Sequence, residues 1–119
     1  MIGFLLDEQL TAAYLAELRQ REPALTVRRV GVGAAPPKGS ADPPLLWYCE
    51  AHDLLLVTDN RASMPVHLAE HLAAGRHVPG ILVMRPSADM GGIIDALLLL
   101  YGASLPDEFR DRIEYIPFI

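Results

Sequence analysis

The chain has one cysteine, one lysine and one tryptophan in 119 residues, and each scarcity removes a class of chemistry. The single Cys49 can form neither an internal disulfide nor a cysteine-based zinc site, which suits a reducing compartment. A small buried hydrophobe is the ordinary role of such a residue. The single Lys38 stands in a stretch rich in Pro and Gly, a poor setting for Schiff-base or buried-lysine chemistry. Bases are outnumbered, ten Lys plus Arg against fifteen Asp plus Glu, for a formal charge of −5 and a pI near 5.2. That balance excludes a broadly basic protein that coats nucleic acid.

Long apolar runs are also missing. The longest stretch of interest, Ala96 to Tyr101, falls far short of the roughly 20 residues of a membrane span. The opening MIGFLLDEQL places two carboxylates directly after its apolar run and has no basic leader, so it does not read as a signal peptide. The expectation is a cytoplasmic protein with no membrane association, folded as a single domain over residues 1–119. The excess negative charge is uneven. Residues 1–88 carry nine acids and eight bases, and residues 89–119 carry six acids and two bases. Any nucleic-acid contact therefore belongs to the first two thirds.

What is present is an alternation of apolar strands and patterned helices. Ile2–Leu6 is apolar throughout and ends at Asp7, the pattern of a strand buried on both faces. Leu10, Tyr14, Leu15 and Leu18 recur at helical spacing, with Thr11 placed to cap them and Pro23 to end them. Leu25–Val30 reads as a second strand, and Gly31 to Pro44 as a Pro- and Gly-rich loop. Ser40 or Asp42 is expected to cap a helix running to about His52, followed by a third strand, Leu54–Thr58, closed by Asp59. Pro65 opens a helix that Gly75 stops. Gly80–Met84 is the fourth strand, Gly92 to about Tyr101 the fourth long helix, and Ile113–Phe118 a last strand that Pro117 confines to an edge. Together these define an α/β fold, a three-layer sandwich with a mostly parallel sheet.

In such a sheet, functional groups gather past the carboxyl ends of the strands. Asp7 ends the first strand, Asp59 ends the third, Glu8 stands beside Asp7, and Asp42 arrives from the start of the second helix. Carboxylates brought together repel, and a divalent cation with a preference for hard oxygen ligands, Mg²⁺ or Mn²⁺, relieves the conflict. Such a cation polarises a phosphodiester and activates water. Helix capping and plain solvation explain Asp7 and Asp42 equally well from spacing alone, and both readings stay open at this point.

The segments FLLDEQL and KGSADPPLLWYCEAHDLLLVTDNR resemble the PIN-like domains of the short, single-domain bacterial, toxin-type kind. That family shows a leading LLDE or FLxDExL, a central S/A-D-x-x-L-L before a helix, and a strand ending V-T-x-D-R-D-F. The resemblance runs from residue 2 to about residue 85. It implies a metal-dependent ribonuclease whose catalytic and metal-binding acids are Asp7, Asp42 and Asp59, with Mg²⁺ or Mn²⁺ as cofactor, Asn60 and Arg61 on the substrate side, RNA as substrate and an antitoxin-like protein as partner. The third motif departs from the pattern: in Thr58-Asp59-Asn60-Arg61-Ala62 the acid either sits one place early or has become Asn60, and Ala62 stands where the next acid belongs. An amide brings no charge, so the resemblance also implies weakened metal affinity and rate, with a non-enzymatic module binding protein or RNA as the alternative.

Other patterns carry less. An acidic pair after strand one and an Asp after strand three also resemble phosphoacceptor receiver domains, but Met84-Arg85 stands where a Ser or Thr is needed and no lysine follows residue 38. His67-Leu68-Ala69-Glu70-His71 has the H-x-x-E-H spacing of inverted zinc peptidases, without a downstream acidic ligand helix; a solvated helix face is its expected role. Gly31-Val32-Gly33 lacks the third glycine of a dinucleotide site. Arg28, Arg29, Arg61, Arg76 and Arg85 are candidates to line the rim, although solvation is the ordinary role of each, and Trp47 is expected in the core. The helix Gly92–Tyr101 has almost no polar face besides Asp95, which predicts exposed leucines and a two-fold homodimer unless Ser104–Ile119 folds over them.

Overall fold

Successive residues of a strand point to opposite faces of a sheet, so a strand that is apolar at every position needs cover on both sides. In the computed structural model, which describes residues 2–118, the strands receive it. On one face Phe4, Leu6, Leu55, Val57 and Leu82 join Leu15 and Leu18 of α1 (Ala12–Arg21) and Ile93, Leu97 and Leu100 of α4 (Met90–Ala103). On the other, Leu5, Leu54, Leu56, Ile81 and Val83 join Leu45, Leu46 and Cys49 of α2 (Asp42–His52) and Met64 and Leu68 of α3 (Met64–Ala73). The three-layer arrangement follows from this alternation. Each fully buried leucine contributes roughly 1.5–3 kcal/mol of transfer free energy.

The strands β1 (Gly3–Leu6), β2 (Val27–Arg29), β3 (Leu54–Thr58), β4 (Ile81–Met84) and β5 (Ile113–Ile116) form one sheet in the order β2-β1-β3-β4-β5, with every pair parallel. Leu6 pairs with Val57 across β1 and β3, and Leu6 with Arg29 across β1 and β2. Chain order reverses between β1 and β3, because β2 lies on one side of β1 and all later strands lie on the other. That pair is the topological switch point of the sheet. The radius of gyration is 13.1 Å.

Several local expectations are corrected by the structure. Thr11 occupies the N-cap of α1, but its side chain makes no capping bond. The N-cap of α2 is Ala41, not Ser40 or Asp42; Asp42 is the first helical residue, ahead of Pro43 and Pro44. Helix α4 starts two residues before Gly92, capped by Asp89, whose Oδ1 accepts from the Gly92 N–H at 2.7 Å. Trp47 is half-exposed rather than in the core, because the Arg76 guanidinium lies 3.9 Å over its ring and occupies that face. The expected row of exposed leucines on α4 reduces to Leu99, 64% exposed, since Leu97 and Leu100 turn into the sheet and Leu98 is partly buried. Among the described residues no helix is long and apolar enough to cross a membrane.

One glycine is required by packing. Gly80 precedes β4 with φ +156°, and a Cβ there would meet the Phe109 Cβ at 2.7 Å and its carbonyl oxygen at 2.9 Å. The segment after α4 passes directly over the strand start, and only a residue without a side chain leaves it room.

Candidate functional site

The end of β1 delivers Asp7 to the switch point. Its N–H continues the ladder to the Val57 carbonyl at 2.9 Å, and its own carbonyl accepts from the Leu10 N–H at 3.0 Å, turning the chain away from the sheet. Helix α1 begins five residues later at Ala12, so Asp7 is no helix cap. Its side chain is buried, with the residue 4% exposed, and both oxygens are engaged: Oδ1 accepts from the Glu8 N–H and Oδ2 from the Thr58 hydroxyl, each at 2.8 Å. Burial raises its pKa above the ordinary carboxylate value. The two hydrogen bonds oppose that rise, and the charges of Asp42 and Glu8 add to it.

Asp42 reaches the same place from the other direction. An acid in the first turn of a helix is favoured by the exposed N–H groups there. A long loop must be held to bring it in. Glu8 accepts from the Gly39 N–H at 3.0 Å, while Arg29 donates to the Leu10 carbonyl at 2.6 Å and the Glu8 carbonyl at 3.3 Å. Arg29 therefore braces the turn between β1 and α1, which carries Glu8, instead of lining the rim. Arg28 donates to the Tyr48 hydroxyl at 2.7 Å on the β2 edge, and Arg76 to Glu50 at 3.1 Å, so neither of these lines it.

The turn after β3 completes the wall. Asp59 is exposed, and its carboxylate has no partner among the described residues. Asn60 donates through Nδ2 to Asp42 Oδ2 at 2.6 Å and to the Ser63 hydroxyl at 2.8 Å, and its N–H donates to the Thr58 hydroxyl at 3.2 Å. Asp42 Oδ2 also has the His67 Nε2 at 3.5 Å. Thr58 thus links Asp7 to Asn60, and Asn60 links onward to Asp42. One chain of hydrogen bonds joins the two acids.

Asp7, Asp42, Asp59, Asn60, Arg61 and Arg85 all line one cleft of about 680 Å³. The five site residues named from sequence are therefore brought to one opening, and Arg85 joins them from the end of β4. Among the described residues, however, no group of three His, Cys, Asp or Glu side chains is placed to hold a metal ion together. Thr58 was not foreseen as a site residue, and neither were the bracing contacts of Glu8 and Arg29. The signal for Thr58 was its register, since it follows Val57, the partner of Leu6, just as Asp7 follows Leu6.

The H-x-x-E-H segment forms the expected solvated face only in part: Glu70 is exposed and His67 half-buried. His71 is buried, its Nε2 lying 2.9 Å from Glu50 and 3.1 Å from the His77 carbonyl. A neighbouring helix covers it, and Glu50 belongs to a clamp with Arg76. The thiol of Cys49 is buried and pushed well above its ordinary pKa by desolvation, with the charge of Asp7 adding to the effect, an environment that keeps it protonated.

The fold and cleft define an α/β protein with an all-parallel five-stranded sheet and a carboxylate-bearing opening at its switch point. No family model matches the chain, and no curated protein or solved structure does either.

Proposed function

We propose that the chain is a PIN-like, metal-dependent ribonuclease of the short toxin type, with Asp7 and Asp42 as its principal metal-binding acids and Asp59 as the outer one. The reading is supported above all by one observation: a buried carboxylate with a raised pKa and a second carboxylate share one cleft with arginines on its rim. Mg²⁺ is usually held by one or two carboxylates with waters and substrate phosphates completing its shell, so the donor set fits Mg²⁺ or Mn²⁺ without a third close ligand. When bound, the cation supplies charge neutralisation and Lewis-acid polarisation at a phosphodiester. Thr58 and the Glu8 N–H fix the rotamer of Asp7. Asn60 fixes that of Asp42. Arg61 and Arg85 place positive charge where a phosphate backbone enters, and Asn60 has its amide oxygen within reach of the Ser63 N–H at 3.3 Å, which leaves its positioning role intact.

A second reading has its own observation. Asn60, where the resembled family has an acid, already occupies Asp42 Oδ2 through a 2.6 Å hydrogen bond. That favours a non-enzymatic module which binds RNA or an antitoxin-like protein through the same opening. Self-association through Leu99, the exposed leucine of α4, belongs to either reading. Incubation with RNA and Mn²⁺, with and without chelator, in wild type and Asp7→Asn decides between them. Metal-dependent cleavage lost in the variant establishes the nuclease. RNA or partner binding without cleavage, insensitive to Mn²⁺, establishes the module.

A further inference from the structure

The two edges of the sheet differ. β2 has three residues, two of them Arg28 and Arg29, the short and charged form of a protected edge. β5 has β4 as its single neighbour. The Arg112 carbonyl accepts from the Ile81 N–H at 3.0 Å and the Ile116 carbonyl from the Arg85 N–H at 2.8 Å, so the even-numbered residues of β5 turn their main-chain groups into the sheet. Alternation along the strand then directs the N–H and C=O of Ile113 and Tyr115 outward. The same two side chains lie on the face of α2 and α3, where Ile113 packs against the cluster that holds Met64 and Leu68. The helical layer there stops short of β5, and Tyr115 is left 39% exposed, with the Arg85 guanidinium 5.9 Å from its ring centroid. His67, Glu70, His71 and Ala74 share a groove with α2, so the 100° step of a helix puts Pro65, Ala69 and Leu72 on the other flank of α3, toward β5. All three are exposed and none is charged.

A second copy of β5 matches this edge in hydrogen bonds, shape and charge. Placed antiparallel with a two-fold axis at Glu114, it sets each Ile113 opposite the other copy's Tyr115, and every outward N–H of the two strands meets an outward carbonyl. Aromatic and β-branched side chains make favourable cross-strand pairs, and each Tyr115 then stands toward the end of the other copy's α3 that carries Leu72. On the opposite face Glu114 meets its own counterpart. Arg112 holds each Glu114 at 2.8 Å and stands diagonally across from the other, so two acids and two arginines form a neutral set. Neighbouring registers fail. An axis at Ile113 sets Tyr115 against Asp111, whose N–H is already given to the Val78 carbonyl, and an axis at Tyr115 sets Ile113 against Pro117, which has no N–H. We propose that the protein forms a two-fold dimer by antiparallel pairing of β5 with β5 about Glu114, doubling the five-stranded sheet. The carboxyl ends of the two halves point in opposite directions, so the two acid clefts open at opposite ends of the dimer. The pairing is independent of what the cleft does.

The test reads both the mass in solution and the register. Sedimentation equilibrium of the whole protein should show the 13.0 kDa chain pairing with a dissociation constant of about 10–100 μM, the weak range that a short interface allows. Glu114→Cys should give a covalent dimer on mild oxidation, because residues facing each other in a non-hydrogen-bonded antiparallel pair lie about 4.5 Å apart, within reach of a disulfide. Arg112→Cys should not, since in this register it lies about 13 Å along the strand from its own counterpart. The native Cys49 is buried and does not compete. Tyr115→Pro removes an outward N–H and leaves the ladder between β4 and β5 whole, so the variant should keep its far-UV circular dichroism and associate about tenfold more weakly. A monomer at millimolar concentration, cross-linking as complete in the Arg112 variant as in the Glu114 variant, or undiminished association of folded Tyr115→Pro, which assigns the contact to another face such as that of Leu99, would each overturn the proposal.

Discussion

The Thr58 hydroxyl donates to the buried carboxylate of Asp7 across 2.8 Å, joining the carboxyl ends of the two strands that flank the switch point. A buried charge that depends on so few donors is sensitive to each of them. Thr58→Val keeps the shape and removes the donor. It should destabilise the protein by about 1–3 kcal/mol at pH 7, the cost of stranding a buried acceptor, and by less as the pH is lowered and Asp7 takes up a proton. Urea denaturation at the two pH values measures the difference.

Asp7→Asn should act in the opposite direction on stability. The native pKa is raised, so the folded state binds more protons than the unfolded one between the ordinary Asp value and the native value, and stability falls as pH rises through that window. Asparagine removes this loss. The variant should be more stable at pH 7, with a higher melting temperature and a flatter pH profile. Any metal-dependent cleavage should disappear in the same protein, measured beside wild type.

Asn60→Asp restores an acid where the resembled family carries one. In the metal-free protein it replaces a 2.6 Å hydrogen bond to Asp42 with a second negative charge, and should cost about 1–2 kcal/mol. With Mn²⁺ present the relation should invert, the variant showing the larger rise in melting temperature and the tighter calorimetric binding. Equal Mn²⁺ response in both proteins would argue for the binding-module reading.

Arg61 is exposed on the cleft and is the simplest rim charge to remove. Arg61→Ala should weaken binding of single-stranded RNA by up to about 1 kcal/mol and flatten its log–log salt dependence by about 0.7, the signature of one lost phosphate contact. Fluorescence anisotropy across a salt series reads both quantities.

Gly80→Ala should be among the most damaging single-methyl additions, at about 2–3 kcal/mol, because the obstruction is Phe109 backbone and Cβ and not a movable side-chain end. Thermal denaturation checks it.

The strands were legible because burial on both faces leaves no choice of residue: Ile2–Leu6, Leu54–Thr58 and Gly80–Met84 each contain the observed strand. Asp7, Asp42 and Asp59 were legible for a related reason, since strand ends and helix starts at one edge of a parallel sheet share that edge. The remainder depended on contacts between distant segments. Arg29 braces a turn that no local pattern connects to it, and Asn60 reaches Asp42 only because the turn after β3 folds back over the start of α2. The burial of His71 has no local signal, because the residue that covers it, Glu50, lies on another helix 21 positions away. Trp47 was misjudged because its ring is covered by an arginine rather than by other apolar groups.

Every strand in the sheet is parallel to its neighbours, and β1 has partners on both sides that follow it in the chain. No two strands can zip together from a tight turn, and each pairing must wait for an intervening crossover to close. Such an arrangement favours slower folding than local pairing would allow. The acids of the cleft, contributed by segments on both sides of β1, come together only when the central part of the sheet is complete. Until that moment the newly made chain has no cleft, and the cleft forms late and all at once.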